Sequence, residues 1–340
     1  MKTLRIVVLA AAAALQPAAG AFAAASLTGA GATFPYPIYS KWFDEYARTG
    51  ADVRINYQSI GSGGGIQQVT KKTVDFGATD GPMTEEQIRK VSGKILHVPT
   101  VLGAVVAVFN VKGADGKELR ELKLSGPLLA DIFLGKVAVW DDKRIKDLNP
   151  TASLPSAPIT VVHRADGSGT TYCFVDYLSA VSPEWKRTVG VATSVKWPVG
   201  LGGKGNEGVA GLVQQSPNSI GYVELIYAKH NSLATAAILN KAGKFVAPEV
   251  ESVTAAAAGT KMPADFRVSI VNAKGENAYP ISTFTWLLVY EKNPAGKGAA
   301  IKDFLVWMLK DGQKMASELG YAPLPGKVIE LVKAAVQKVK

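Results

Sequence analysis

Apolar residues recur along this chain with two alternating periods. Val53, Ile55 and Tyr57 alternate with polar neighbours, the period-2 signature of a strand. Val74-Asp75-Phe76-Gly77 predicts a second short strand, and Leu96 to Val111 a long β-rich run broken by Pro99 and Gly103. Ile159 to His163, Ile220 to Glu224, Phe266 to Val271 and Ile281 to Tyr290 also predict strands. Helical spacing appears at Ile38, Trp42, Phe43 and Tyr46, at Leu128, Leu129, Ile132 and Phe133, and at Ile301, Phe304, Leu305, Met308 and Leu309. A last helical stripe runs from Val328 to Val339, with a basic, solvated outer face. Strands and helices in alternation predict an α/β architecture. The Gly/Pro/Ser-rich stretches Leu148 to Pro158 and Lys196 to Gly208 read as loops inside a domain, because strand and helix patterns continue on both sides. Ala255 to Pro263 reads as a weakly structured surface segment, and no internal repeat is evident.

The chain start departs from this pattern. Lys2 and Arg5 precede the apolar run Ile6 to Leu15, Gln16-Pro17 breaks it, and Ala21-Phe22-Ala23 closes it. This is the layout of a secretory signal peptide (residues 1–23), with cleavage predicted after Ala23. The run has 10 residues, well short of the ~20 that a spanning helix needs. At ~150 residues per domain, the remainder suggests about two domains. The formal net charge is +10, of which Lys2 and Arg5 belong to the leader. The lysines are scattered, so no nucleic-acid tract is visible, while the positive field favours an anionic ligand. Cys173 is the one cysteine and cannot form an internal disulfide. It falls in the first turn of the helix after Thr170, either as a small buried hydrophobe or as a thiolate near a helix N-terminus. No cysteine lies near the leader for lipid attachment, so a soluble exported protein is expected.

Three segments lead small residues straight into a helix. They are Gly29-Ala30-Gly31-Ala32-Thr33-Phe34 before Pro35, Gly61-Ser62-Gly63-Gly64-Gly65 before Ile66, and Arg164-Ala165-Asp166-Gly167-Ser168-Gly169-Thr170 before Tyr172. Glycines allow tight turns and close backbone approach, and proline suits a first helical turn. Ser168 and Thr170 are N-cap types, and the first amides of a helix lack internal partners. Arg164 adds a fork suited to paired oxygens. Each segment can point amides and a hydroxyl at an anion, and the three together predict an oxyanion site.

Thr79-Asp80-Gly81-Pro82 puts a carboxylate at a turn, where Asp80 is a turn residue, the cap of a helix through Ile88, or part of the site. In the site it could only accept hydrogen bonds. It would admit an oxyanion that still carries a proton, as phosphate does near neutrality, and repel sulfate. Gly200-Leu201-Gly202-Gly203-Lys204-Gly205 has G-x-G-x-x-G spacing, with Glu224 19 residues further on. Trp197-Pro198 precedes it where a buried strand should be, which argues against a dinucleotide site. Ser62 and Ser168 lack the glycine of a G-x-S-x-G elbow. His97, His163 and His230 are far apart and lack metal-ligand spacing.

Four stretches carry a family resemblance: Ala25 to Pro35, Thr73 to Ala78, Arg164 to Thr170, and Lys196 to Asn206. In this order, across essentially the whole mature chain, they resemble the periplasmic phosphate-binding protein of the bacterial Pst uptake system. The resemblance implies a two-lobed type II periplasmic-binding-protein fold, with the ligand between the lobes. Lobe one would be residues 24–103 plus 281–340 and lobe two 104–280, joined by crossover strands at Val98 to Phe109 and Tyr279 to Tyr290. It implies phosphate contacts from Thr33, Phe34 through its backbone, Ser62, Asp80, Arg164, Ser168, Gly169 and Thr170, with Asp166 orienting the arginine. Gly63 and His163 depart from the pattern, where a serine and a second arginine stand. The function implied is a monomeric periplasmic receptor, without catalysis, metal or cofactor, that delivers inorganic phosphate to the permease and ATPase of an ABC importer. Two other readings of the residues remain: a secreted phosphatase or hydrolase using Ser62 or Ser168, and the same fold with sulfate, molybdate or a phosphonate as ligand.

Overall fold

The computed structural model describes residues 25–340, so the leader and its cut after Ala23 lie outside the described residues. From the N-terminal side the elements run β1 (Ala25–Gly31), α1 (Tyr36–Arg48), β2 (Val53–Ser59), α2 (Ser62–Thr70), β3 (Phe76–Thr79) and α3 (Glu85–Arg89). Next come β4 (Ile95–Asn110), β5 (Lys123–Leu124), α4 (Gly126–Phe133), α5 (Lys143–Leu148), β6 (Thr160–Arg164), α6 (Gly169–Val181) and α7 (Pro183–Thr188). Then follow β7 (Leu201–Gly203), α8 (Gly205–Gln215), β8 (Ser219–Glu224), α9 (Leu225–His230), β9 (Ala234–Thr235), β10 (Ala237–Leu239), β11 (Phe245–Val246) and α10 (Val250–Ala257). The chain closes with β12 (Ser282–Tyr290), α11 (Lys297–Lys310) and α12 (Gly326–Val336).

Nine strands share one sheet in the order β2-β1-β3-β12-β4-β8-β6-β7, with β9 on β4, while β5, β10 and β11 form a small second sheet. The seam is β4. Its first part, Ile95 to Ala104, pairs with β12, and its second, Val105 to Asn110, pairs with β8. The sheet therefore has two halves that meet on one strand. Pro99 does not break this strand, because a bulge takes it up. Thr285 faces Val101 and Trp286 faces Pro99, which leaves Thr100 as the extra residue.

Each half has its own aromatic core. In one, α1 buries Ile38, Tyr39, Trp42 and Tyr46, and Tyr39 stands edge-on to Tyr57 at 5.7 Å. Trp42 Nε1 donates to the carbonyl of Gly312 at 2.8 Å, so this ring is both packed and satisfied. In the other half, Phe174 stacks on Tyr222 at 4.3 Å and meets Phe133 edge-on at 4.8 Å.

Four expectations need correction. Phe266 to Val271 is not a strand. Phe266 has φ +60°, which no strand accepts, and its carbonyl takes the Trp286 indole N–H at 2.9 Å. Arg267 then bonds the Met83 carbonyl at 3.0 Å and pairs with Glu85 and Asp265. Side-chain contacts, not a ladder, hold this strap. Lys196 to Gly208 is not all loop, since it holds β7 and the start of α8. The second predicted strand begins at Phe76 rather than Val74. Asp80 caps no helix, because α3 is capped by Thr84 in a capping box with Gln87.

Phe174 links packing to the site, since its stacking partner Tyr222 holds the Arg164 backbone. Phe174→Ala is expected to cost about 3–5 kcal/mol, read as a lower midpoint in urea denaturation. A loss below ~1 kcal/mol would show that this aromatic cluster can collapse around the deletion.

Candidate functional site

The three small-residue junctions of the sequence converge at one place between the two halves of the sheet. Thr33 and Phe34 follow β1, Ser62 opens α2, Asp80 follows β3, and Arg164 ends β6. Ser168 is the N-cap of α6, with Gly169 and Thr170 in its first turn. All are buried, Asp80 at 1 % exposure and Arg164 at 3 %.

A guanidinium so deeply buried needs partners. Arg164 donates from Nε to Asp166 Oδ1 at 2.7 Å and from Nη2 to Oδ2 at 2.6 Å, a bidentate pair. Gly205 N–H donates to the same Asp166 Oδ1 at 3.0 Å. Burial works against the Arg164 charge, but Asp166 more than offsets it and holds the guanidinium above its ordinary range. Burial likewise pushes the Asp166 carboxyl up, and Arg164 and the Gly205 amide bring it below the usual carboxylate value. Arg164 Nη1 remains free of Asp166 and reaches Thr170 Oγ1 at 3.3 Å. The Arg164 backbone N–H donates to the Tyr222 hydroxyl at 3.1 Å, which ties the arginine to the aromatic core.

The hydroxyls are held from behind. Ser62 Oγ accepts from Gly169 N–H at 3.0 Å and from Asp80 N–H at 3.3 Å. Ser168 Oγ accepts from Thr171 N–H at 2.9 Å, as an N-cap should. Among the described residues no histidine bonds either serine. Gly169 is required: a Cβ there would lie 2.5 Å from Ser62 Oγ and 2.7 Å from Asp80 Oδ2. The halves also meet where Gly63 N–H donates to the Gly167 carbonyl at 2.8 Å. Gly63, one departure from the family pattern, allows this approach, because a Cβ there would sit 3.0 Å from Gly167 Cα.

Asp80 is the acidic exception among these groups. Its Oδ1 accepts from Thr285 Oγ1 at 3.0 Å. Burial raises its carboxyl to about 7, against the Thr285 hydroxyl and the Arg164 charge that pull it down. The hydroxyls of Ser62 and Thr170 also act on it. His163, the other departure, does not take part. Its ring stacks on Trp197 at 4.8 Å, and burial lowers its pKa. Cys173 is buried and its thiol is pushed well up by that burial, so it packs as a small hydrophobe. No group of three or more His, Cys, Asp and Glu among the described residues could hold a metal ion, and no described helix is long and apolar enough to cross a membrane.

Sequence reasoning missed several residues here. Asn206 Nδ2 lies 2.7 Å from Thr33 Oγ1 and 3.3 Å from Thr170 Oγ1. Tyr227 donates to the Thr33 carbonyl, and Tyr321 to the Phe34 carbonyl, both at 2.6 Å. Thr283 Oγ1 donates to the Asp80 carbonyl at 3.3 Å. A signal existed for the threonines, since polar residues at 283 and 285 stand in a strand that is buried throughout.

The chain is similar to several known proteins. Residues 16–311 match the PBP superfamily domain. The Phosphate-binding protein PstS of Pasteurella multocida is 48% identical over 316 residues, covering 92% of this chain and 90% of that protein. The Phosphate-binding protein PstS of Haemophilus influenzae is also 48% identical, covering 91% of this chain and 92% of its own. Among solved structures, a high affinity periplasmic phosphate-binding protein (PfluDING) bound with phosphate superposes with a TM-score of 0.75 at 21% identity, over 91% of this chain and 93% of that one. The fold is thus the two-lobed type II form, and the chain belongs to the PstS family of phosphate-binding proteins.

Proposed function

We propose that this protein is a periplasmic receptor that captures inorganic phosphate and, as a monomer, delivers it to the membrane permease and ATPase of an ABC-type importer. Its role is binding, not catalysis. In this reading residues 24–103 with 281–340 form lobe one and residues 104–280 lobe two, and β4 and β12 act as the hinge on which they close. Thr33, Phe34 through its backbone, Ser62, Asp80, Arg164, Ser168, Gly169 and Thr170 contact the phosphate, and Asp166 fixes the arginine. The leader, residues 1–23, directs export and is removed after Ala23. Relatives named as phosphate-binding proteins over nine-tenths of the chain support this reading.

The observation that carries the choice of ligand is Asp80, one buried carboxyl set among hydroxyl, amide and guanidinium donors. A carboxylate next to a bound oxyanion is tolerated when one proton lies between them. Phosphate brings that proton at neutral pH, and sulfate does not. The selectivity should itself depend on pH. Above about 7 Asp80 is ionised and can only accept. Below about 7 it holds a proton and can donate to an unprotonated oxyanion.

Titration calorimetry of the ligand-stripped mature protein at pH 8 should give one-to-one phosphate binding and no heat with sulfate. Silence with both ions, or sulfate binding with weak phosphate binding, would reject the reading. Asp80→Asn, whose amide can donate, should lower the phosphate-to-sulfate affinity ratio by roughly tenfold or more. A ratio equal to that of the wild type would rule out the proton filter. The same ratio in the wild type should be smaller at pH 5 than at pH 8, and a ratio that does not change through pH 7 would argue that Asp80 keeps one protonation state. Intact-mass measurement of the exported protein should place its first residue at Ala24, whereas retention of Met1 would refute export by a cleaved leader.

A further inference from the structure

A hydroxyl has one hydrogen to donate and two lone pairs to accept with. When two N–H groups fill both lone pairs, only the O–H remains, and the hydroxyl can face its next partner only as a donor. Ser62 Oγ is in this state until an ion takes the Gly169 amide, with Asp80 N–H at 3.3 Å and Gly169 N–H at 3.0 Å. Thr33 Oγ1 is too, with both donors from one residue: Asn206 Nδ2 at 2.7 Å and Asn206 N–H at 3.3 Å. Thr170 Oγ1 takes Arg164 Nη1 at 3.3 Å and Asn206 Nδ2 at 3.3 Å.

The orientation of the Asn206 amide is fixed by its surroundings. Its Oδ1 accepts from Glu224 N–H at 2.8 Å, and a backbone N–H can only donate. The Nδ2 group must then face the two threonines, and the side chain is fully buried. The glycine-rich run before it serves the same arrangement. Gly205, at φ +71°, sends its N–H to Asp166 Oδ1 and delivers Asn206 to the next position. The stretch Lys196 to Asn206 thereby gains a purpose that its G-x-G-x-x-G spacing does not convey.

We propose that Asn206 is a positioning residue that forces Thr33 and Thr170 to present O–H donors to the bound oxyanion. This inference rests on the phosphate reading above. Asn206 bonds two of the hydroxyls, Thr33 and Thr170, whereas Ser62 has no bond to it and serves as an internal control.

The test is a set of double-mutant cycles read as phosphate affinity by titration calorimetry at pH 8, with folding checked by circular dichroism. Asn206→Ala should weaken phosphate binding roughly 10- to 100-fold. In a T33V/T170V background the same substitution should change affinity less than about threefold, since its targets are gone. In an S62A background it should keep its full cost. A structural role alone would give the same loss in all three backgrounds, and that result overturns the proposal, as does wild-type affinity in N206A. If N206A does not fold, Asn206→Asp keeps the shape and the acceptor for Glu224 N–H while turning the threonine hydrogens away from the ligand. N206D should then bind phosphate at least as weakly as predicted for N206A, and wild-type affinity in it overturns the proposal. Absence of phosphate binding by the wild type would overturn the phosphate reading itself, a result distinct from any variant outcome.

Discussion

The site is organised around one buried charge that cannot be left alone. Arg164 is 3 % exposed, and an unpaired guanidinium there would cost several kcal/mol. Asp166 meets it with both oxygens, and the Gly205 amide occupies the acid from the other side. That pairing draws together the end of β6, the turn before α6 and the start of α8. The remaining supports are consequences of the same demand. Tyr222 receives the Arg164 amide, and its ring is clamped by Phe174. A guanidinium held by three hydrogen bonds loses little freedom when a ligand arrives, and this is what makes a buried ion pair useful where its contribution to stability alone is doubtful.

Against this frame the hydroxyl donors and Asp80 divide the work. Donors aimed from behind confer affinity for any tetrahedral oxyanion of suitable size. They do not separate phosphate from sulfate, because the two present the same acceptor geometry. Discrimination needs a group that reads the ligand's hydrogen, the role proposed for Asp80, whose carboxyl Thr285 holds at 3.0 Å. Thr285 comes from β12 and so ties the acid to the strand that runs along the seam.

Much of this was legible in the sequence, and the reason is local chemistry. Arg164, Asp166, Ser168, Gly169 and Thr170 lie within seven residues, so a strand, a turn and a cap can be read without knowing the fold. Thr33 and Ser62 were legible in the same way, each being next to glycines that open a helix. Asp80 was ambiguous locally, because a carboxylate before Gly-Pro serves equally as a turn residue. The tertiary structure removes only the helix-cap role, because Thr84 caps α3. Asn206, Tyr227 and Thr285 were out of reach for a different reason. Each meets its partner across more than a hundred residues: Asn206 reaches Thr33, Tyr227 the Thr33 carbonyl, and Thr285 Asp80. The strap at Phe266 to Val271 failed for the opposite reason. Its apolar alternation is strand-like, but the positive φ of Phe266 and the Arg267 contacts are tertiary facts that override a weak local preference.

The charge of the site explains why one proton matters so much. Arg164 and Asp166 cancel, so the net charge facing a ligand is set by Asp80 alone. Burial raises the Asp80 carboxyl to about 7, so its charge is sensitive to pH near neutrality. No second cation stands among the contact residues to offset two or three negative charges. In the proposed site dipoles would add to Arg164, through helix-start amides and hydroxyls, although Asp80 also draws on the Ser62 and Thr170 hydroxyls. Dipoles fall off with distance faster than charges and are effective only at contact. Ser62 comes from one half and Arg164, Ser168 and Thr170 from the other, so an ion held by all four would bridge the two halves where they already meet through Gly63 and Gly167.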